Sequence, residues 1–310
     1  KLEKVWDVRL VYIPSGTFAI AVDVGFGGWL RLLGILKPVE KLLSWFKIDI
    51  MSKQVLWDDI ESVDIATSKL LLSKSTSKLT TLHPSDLADI IEHFGFGQIK
   101  LAGISMGAFV ALQYQSLYGD QHISRYLHID QSPRCLNDKD WQWGLFGHEQ
   151  EERLDRASAL ITELEPYTQS KLAYAEIPRH LRARLWENLG DFFASALSKP
   201  GHKKLAQFAC NQEALIKHLM PVKNWSVYIH CLKAYMEQDY DMIDVIGKLT
   251  APMSLMVGLK SDMYPCGGQL RIADYHSNCE IITMNKSGHT PLIDQPIRFL
   301  AELKRFAKAV

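Results

Sequence analysis

The most informative segment of this 310-residue chain is IKLAGISMGAFVALQYQSLY, residues 99–118. Its first part, Ile99–Ala102, has the apolar character of a buried strand. A glycine-containing turn follows at Gly103–Gly107, and apolar residues then continue at helical spacing over Ala108–Tyr118. A strand, a sharp turn and a helix in this order predict one βα unit of a parallel sheet.

The turn has the pattern Gly-x-Ser-x-Gly, with Ser105 at its centre. Glycines on both sides relieve the crowding of a tight strand-to-helix turn, so the serine is lifted above the edge of the sheet. The N–H of Met106 then points to where negative charge develops on a tetrahedral intermediate, and the N-terminus of the helix reinforces it. Ser105 is therefore the predicted nucleophile, and Met106 supplies the predicted oxyanion donor.

A serine nucleophile needs a general base, and His289 has the most suitable setting among the eleven histidines. It follows the last predicted strand, within Ser287-Gly288-His289-Thr290-Pro291. The later predicted strands, each short, apolar and bounded by turn residues, are Tyr126–Ile129, Met253–Val257 and Glu280–Met284. Residues 138–248 show a helical pattern without strand alternation, which predicts a helical cap inserted between two strands.

The part of the chain from about residue 97 to residue 310 resembles the α/β-hydrolase superfamily, in its esterase and non-haem-haloperoxidase-like branch. The motifs that carry this resemblance are Gly103–Gly107, Asp130-Gln131-Ser132-Pro133, Leu136-Asn137-Asp138, Met263-Tyr264-Pro265 and Lys286-Ser287-Gly288-His289. The resemblance implies an α/β fold with a mostly parallel sheet. It also implies hydrolysis of an ester, thioester or lactone without a metal or other cofactor. Within it, residues 96–137 and 249–310 are the expected core, and residues 138–248 the expected cap.

Two aspartates compete for the role of the acid that orients His289. Hydrolases of this type usually carry the acid after the penultimate strand, but that slot holds Ser261, and Asp262 comes one residue late. Asp130 is the alternative, because it ends the strand Tyr126–Ile129 and some members of the fold carry the acid there. Either carboxylate would fix the tautomer of His289 and stabilise its imidazolium form. The sequence leaves both open, with Asp130 preferred.

The first 95 residues depart from the hydrolase pattern. Val8–Ile13 and Phe18–Val24 are predicted strands, and Trp29–Phe46 is a predicted amphipathic helix that either packs on the protein or lies on a membrane surface. The His-Gly pair that precedes a typical oxyanion loop is missing from the sequence. The nearest candidate for a second oxyanion donor is the N–H of Phe26, in a glycine-rich turn.

A second resemblance competes for this N-terminal segment. The segment is similar to the PRC-barrel-like part and first cytosolic helix of bacterial magnesium transporters of the MgtE type. The matching ranges are Val22–Phe46, Val55–Asp59 and Leu82–Ile91. They contain no membrane helices or nucleotide-sensing domains, so transport is not implied. This resemblance makes residues 1–95 an atypical unit, and magnesium binding through Asp58 and Asp59 is the corresponding hypothesis.

Composition narrows the choice of partners. Lys plus Arg and Asp plus Glu both number 35, which leaves no net charge to attract nucleic acid or an anionic surface at long range. No stretch reaches the roughly 18 apolar residues of a membrane helix, and no signal-peptide pattern opens the sequence. The five cysteines are scattered, without metal-binding spacing. We therefore expect a cytoplasmic protein with a small-molecule substrate and no metal.

The sequence thus favours a serine esterase or thioesterase that works through an acyl-enzyme. Three aromatic residues of the predicted cap are candidates for substrate binding, although core packing is the other interpretation: Trp141, Trp143 and Phe146. Two alternatives stay open. One is an inactive hydrolase fold, because the oxyanion loop is incomplete, and the other is a regulatory or binding module based on the N-terminal segment.

Overall fold

A computed structural model describes residues 7–13, 17–23, 49–50, 82–93, 96–213, 225–237 and 240–309. Its strands form one sheet in the order β3-β1-β2-β4-β5-β6-β7. The strands are β1 (Asp7–Ile13), β2 (Thr17–Asp23), β3 (Asp49–Ile50), β4 (Ile99–Ile104), β5 (Ile123–Ile129), β6 (Met253–Gly258) and β7 (Cys279–Met284).

The helices of the described residues connect and cover these strands. They are α1 (Leu82–His93), α2 (Met106–Tyr118), α3 (Gln150–Gln169), α4 (Arg179–Ser195), α5 (Pro200–Cys210), α6 (Trp225–Glu237), α7 (Ile243–Lys248), α8 (Cys266–Leu270), α9 (Ile272–Tyr275), α10 (Pro291–Asp294) and α11 (Pro296–Lys308). Short 3₁₀ turns lie at Gly147–Glu149 and Tyr174–Glu176. In the part of the chain that the structure describes, no helix combines the length and apolar character needed to cross a membrane.

Strands β2, β4, β5, β6 and β7 are parallel, while β1 runs antiparallel to both β2 and β3. Ile104 is level with Ile129 in the ladder, and Ile129 is level with Met256. The loops that follow β4, β5 and β6 therefore leave the sheet at the same edge. In open α/β sheets, this carboxyl edge is where ligands bind.

The central strands are buried on both faces, because helices cover the sheet from two sides. Leu101 and Leu255 belong to a cluster that includes residues of α1 and α2. Neighbouring residues on the same strands, such as Ala102 and Met256, point to the opposite face and pack in a cluster with Phe306 of α11. This alternation follows from the two-residue period of a strand.

The sheet confirms the mostly parallel α/β fold predicted from the sequence. The predicted strands are present, with β5 beginning earlier than expected, at Ile123. Helix α1 begins at Leu82 and carries Pro84 in its first turn. Pro84 is tolerated there, because its missing N–H would have no intrahelical partner in any case.

The N-terminal strands belong to the same sheet as the rest. β2 pairs in parallel with β4, from Ala19 beside Lys100 to Val22 beside Gly103, and β1 extends the sheet on the far side of β2. Several predictions for this half fall outside the described residues. They concern Phe26, the helix Trp29–Phe46, and the pair Asp58 and Asp59.

The helices α3 to α7 lie between β5 and β6, and α3 to α6 share a buried cluster that includes Leu164, Trp186 and Trp225, together with Ile293 of α10. The indole N–H of Trp186 donates to the hydroxyl of Tyr174 at 2.6 Å. Much of the aromatic content of residues 138–248 is therefore core of this helical insertion. The limits of the insertion as a separate domain stay a prediction.

A buried histidine lies inside the sheet on β5. His128 has no exposed surface, and its Nε2 donates to the carbonyl of Gln131 at 2.8 Å. Because a carbonyl can only accept, the proton is on Nε2, and Nδ1 accepts at 2.9 Å from the hydroxyl of Tyr126, which shares its single proton with the Ala108 carbonyl at 3.1 Å. Burial lowers the pKa of His128 to about 4, against the opposing effects of the Gln131 carbonyl and the Asp130 charge.

We predict that His128 makes the fold sensitive to mild acid. The unfolded chain takes up this proton near the ordinary histidine pKa, whereas the folded chain resists it until about pH 4. Acidification through this window therefore favours unfolding, by about 3 kcal/mol from this residue. In urea unfolding between pH 7 and pH 4, His128→Gln should lose less stability than the wild type, whatever its stability at pH 7.

The matched control is His122→Gln, which removes a histidine whose Nδ1 bonds the Gly97 carbonyl near the surface. This variant should keep the wild-type pH dependence. If the stability of His128→Gln had the same pH dependence as that of the wild type, His128 would not be the source of the acid sensitivity.

Candidate active site

Ser105 occupies a strained turn between β4 and α2. Its backbone has φ 53° and ψ −128°, a conformation that residues other than glycine rarely adopt and that costs about 1–3 kcal/mol. The N–H of Ser105 donates to the carbonyl of Ile129 at 3.0 Å, and its carbonyl accepts from Ala108 at 2.8 Å. These bonds hold the strained residue at the carboxyl edge of the sheet.

Gly103 allows this turn to be tight. A Cβ atom at position 103 would lie 2.4 Å from the Gly107 carbonyl oxygen and 2.7 Å from the Ala108 backbone. Only glycine fits where the helix crosses so close to the strand. Met106 is the first residue of α2, so its N–H has no acceptor within the helix.

The structure brings Asp130 and His289 together. Nδ1 of His289 lies 2.9 Å from Oδ1 of Asp130, and the two side chains are 4% and 0% exposed. Asp130 directly follows Ile129, the residue that accepts the hydrogen bond from Ser105. The predicted nucleophile, base and one predicted acid therefore lie on neighbouring loops of the same edge.

Asp130 is held by three further donors besides His289. Its Oδ2 accepts from the Gly258 N–H at 2.6 Å, while Oδ1 accepts from the Ser261 hydroxyl at 2.7 Å and the Gln269 amide at 3.2 Å. A buried carboxylate needs such donors in place of water, and here both of its oxygens accept hydrogen bonds. An ionised Asp130 can in turn hold His289 with its proton on Nδ1.

Asp262 is not brought to the histidine. Its side chain is 57% exposed and forms an ion pair with Lys203 of α5. The residue before it, Ser261, points inward instead and reaches Asp130. The roles of Ser261 and Gln269 were missed by the sequence analysis, although the position of Ser261 in the usual acid slot was a signal.

The loop that carries His289 is fastened to the helical insertion. Oδ2 of Asp294 accepts from Gly288 N–H at 2.9 Å and from Ser198 N–H at 3.2 Å. The hydroxyl of Thr290 donates to the carbonyl of Ala196 at 2.8 Å. The histidine is thus positioned from both sides, by Asp130 in the core and by the turn that follows α4.

The three aromatic candidates for substrate binding pack around the loop that follows β6. Trp141 and Trp143 meet edge to face at 5.2 Å, and Arg271 lies 4.5 Å over the ring of Trp143. Phe146 is 7% exposed, and its N–H donates to the carbonyl of Met263 at 2.6 Å. Trp141 and Phe146 are therefore buried, and a substrate-binding role for the three residues stays a prediction.

The described residues contain no group of three or more His, Cys, Asp or Glu side chains arranged to hold a metal ion.

Solved structures show where else this architecture occurs. An esterase from Exiguobacterium antarcticum is 19% identical with a TM-score of 0.53, over 74% of this chain and 74% of that chain. An α/β-hydrolase enzyme from a Medee basin deep-sea metagenome library is 16% identical, with a TM-score of 0.53 over 74% and 72%. A bromoperoxidase from Bacillus anthracis is 17% identical, with a TM-score of 0.50 over 73% of each chain.

No protein-family model matches this sequence, and no curated protein matches it. The proposed resemblance of residues 1–95 to magnesium transporters therefore has no support, and β1 and β2 lie in one sheet with β4. The parallel strands, the covering helices and the similarity to solved hydrolases lead to one conclusion about architecture. The protein has an α/β-hydrolase fold.

Proposed function

We propose that this protein is a serine hydrolase that cleaves a carboxylic ester or thioester through an acyl-enzyme. Ser105 is the nucleophile, His289 the general base, and Asp130 the acid that orients the histidine. The observation that carries the proposal is the buried pair of His289 and Asp130, which lies beside the strained turn of Ser105. The structural neighbours named as esterases make esters the first substrates to test.

In the first step, the Oγ atom of Ser105 attacks the carbonyl carbon of the substrate while Nε2 of His289 accepts the serine proton. The imidazolium that forms is stabilised by the carboxylate of Asp130. His289 then gives the proton to the leaving oxygen or sulfur atom, which departs and leaves the acyl group on Ser105. Water repeats the sequence on the acyl-enzyme, with His289 again as base, and releases the acid product.

Negative charge on the carbonyl oxygen needs preorganised donors during both steps. The N–H of Met106 supports this role, because it opens α2 and has no intrahelical acceptor. Strand β2 pairs with β4 next to this turn, with Val22 level with Gly103. The second donor predicted from the sequence, Phe26, lies outside the described residues.

An inactive hydrolase fold is the alternative. It is favoured by one observation: among the described residues, Ser105 Oγ and His289 share no hydrogen bond. In unliganded enzymes, however, such catalytic bonds are often long and tighten only with substrate. An active enzyme also accounts for the contact between the buried carboxylate of Asp130 and His289, next to the strained turn of Ser105.

A fluorophosphonate probe tests the nucleophile and the base together. The probe phosphonylates only an activated serine, so the wild type should be labelled, and peptide mass spectrometry should locate the label at Ser105. His289→Ala should lose at least 99% of the labelling rate, because the serine proton then has no acceptor. His276→Ala is the matched control, since it removes another buried histidine away from Ser105.

Labelling at Ser105 that persists in His289→Ala would contradict the assigned base. Absence of labelling in a protein with an intact circular dichroism spectrum and cooperative thermal unfolding would favour the inactive fold.

Single substitutions of Asp130 and Asp262 test which of the two orients His289. Asp130→Asn should lower kcat for a p-nitrophenyl ester by about 10⁴-fold, because the amide cannot hold the required tautomer of His289. Asp262→Asn should change kcat by less than about threefold, since it removes only an exposed ion pair with Lys203. A large loss of kcat in Asp262→Asn with little loss in Asp130→Asn would identify Asp262 as the acid instead of Asp130.

A further inference from the structure

We propose that Ser261 is a positioning residue for Asp130, and that position 261 is itself able to carry the acid of the site. The proposal rests on the proposed serine hydrolase function and deepens it. It starts from the inward hydroxyl of Ser261, which the serine mechanism itself does not use.

The direction of this hydroxyl is fixed by its surroundings. Oγ of Ser261 accepts from the N–H of Tyr264 at 3.3 Å and lies 2.7 Å from Oδ1 of Asp130. Because the N–H of Tyr264 can only donate, the hydroxyl proton of Ser261 goes to the carboxylate. The N–H of Ser261 also donates to the carbonyl of Gly258 at 3.1 Å, which holds the backbone in place. Ser261 is 9% exposed, so little water competes for this bond.

The bond acts on the atom that holds the histidine. Oδ1 of Asp130 receives the hydroxyl of Ser261 and Nδ1 of His289, together with a longer bond from the amide of Gln269. Oδ2 has a separate donor in the N–H of Gly258. Ser261 therefore fixes the rotation of the carboxylate and, through it, the plane of the imidazole. Without Ser261, Oδ1 keeps only the histidine and the weaker Gln269 bond.

The same geometry places position 261 within reach of His289. The Ser261 hydroxyl and the His289 ring converge on one oxygen, at 2.7 Å and 2.9 Å. An aspartate at 261 extends one bond further from its Cβ than the serine hydroxyl does, which brings a carboxylate oxygen to the ring nitrogen. In the same variant, an asparagine at 130 donates its amide to the new carboxylate and keeps its carbonyl for the N–H of Gly258. In this double variant, position 261 therefore carries the acid and position 130 carries the donor that supports it.

Single variants test the positioning role by steady-state hydrolysis of a p-nitrophenyl ester. Ser261→Ala should lower kcat about ten- to a hundredfold with KM within twofold, because it loses a hydrogen bond to a charged group and no substrate contact. Ser261→Thr should keep kcat within about threefold, since it retains the hydroxyl. Ser287→Ala is the matched control, because Ser287 is fully buried next to Gly288 and its hydroxyl bonds no described residue.

The exchange itself is tested with Asp130→Asn alone and combined with Ser261→Asp. The double variant should regain at least tenfold of the kcat that Asp130→Asn loses. Thermal unfolding of each variant verifies that it is folded, and the Ala, Thr and Ser287 comparison decides the positioning role if the double variant does not fold.

The outcomes separate this proposal from the function on which it rests. A folded wild type that neither hydrolyses esters nor reacts with the fluorophosphonate probe refutes the serine hydrolase function. A wild type that is active, with unchanged kcat in Ser261→Ala, overturns the positioning role. A folded double variant no faster than Asp130→Asn overturns the exchange of the acid.

Discussion

The site depends on the burial of one carboxylate, that of Asp130. An ionised carboxylate loses several kcal/mol of hydration when it is fully buried, so the fold must supply donors around it. These donors come from the end of β6, the loop behind it, α8 and the loop after β7: Gly258, Ser261, Gln269 and His289. All four segments must therefore be in place before the carboxylate is stable, and the orientation of His289 is one result of the same requirement.

The strained backbone at the carboxyl edge of the sheet is likewise stabilised by the fold around it. Ser105 and Asp130 both have positive φ, 53° and 43°, and both come directly after a buried parallel strand. Each such residue costs about 1–3 kcal/mol, which is offset by the burial of the strands and covering helices. The bond from Ser105 N–H to Ile129 carbonyl links the two strained turns. The register of β4 and β5 thus sets how Ser105 lies relative to Asp130, the nucleophile and the acid of the proposed mechanism.

Local patterns predicted the parts of this arrangement that depend on local sequence. The strands, the tight turn at Ser105 and the loop position of His289 follow from periodicity and glycine spacing. The choice between Asp130 and Asp262 does not follow from local sequence, because the direction of a loop side chain depends on the tertiary path of its backbone. Gln269 donates to a carboxylate 139 residues earlier in the chain, and no local pattern carries such a contact. The pairing of β2 with β4 was hidden for the same reason.

The attachment of the histidine loop limits how the helical insertion can move. Asp294 binds Gly288 and Ser198 through one oxygen, and Thr290 bonds the carbonyl of Ala196. A hinge motion that lifted the turn at 196–198 would break these bonds and release the support on one side of His289. The insertion is therefore not a freely opening lid at this point. Under the proposed function, the substrate would have to reach Ser105 by a route that leaves this attachment intact, so that His289 keeps its position.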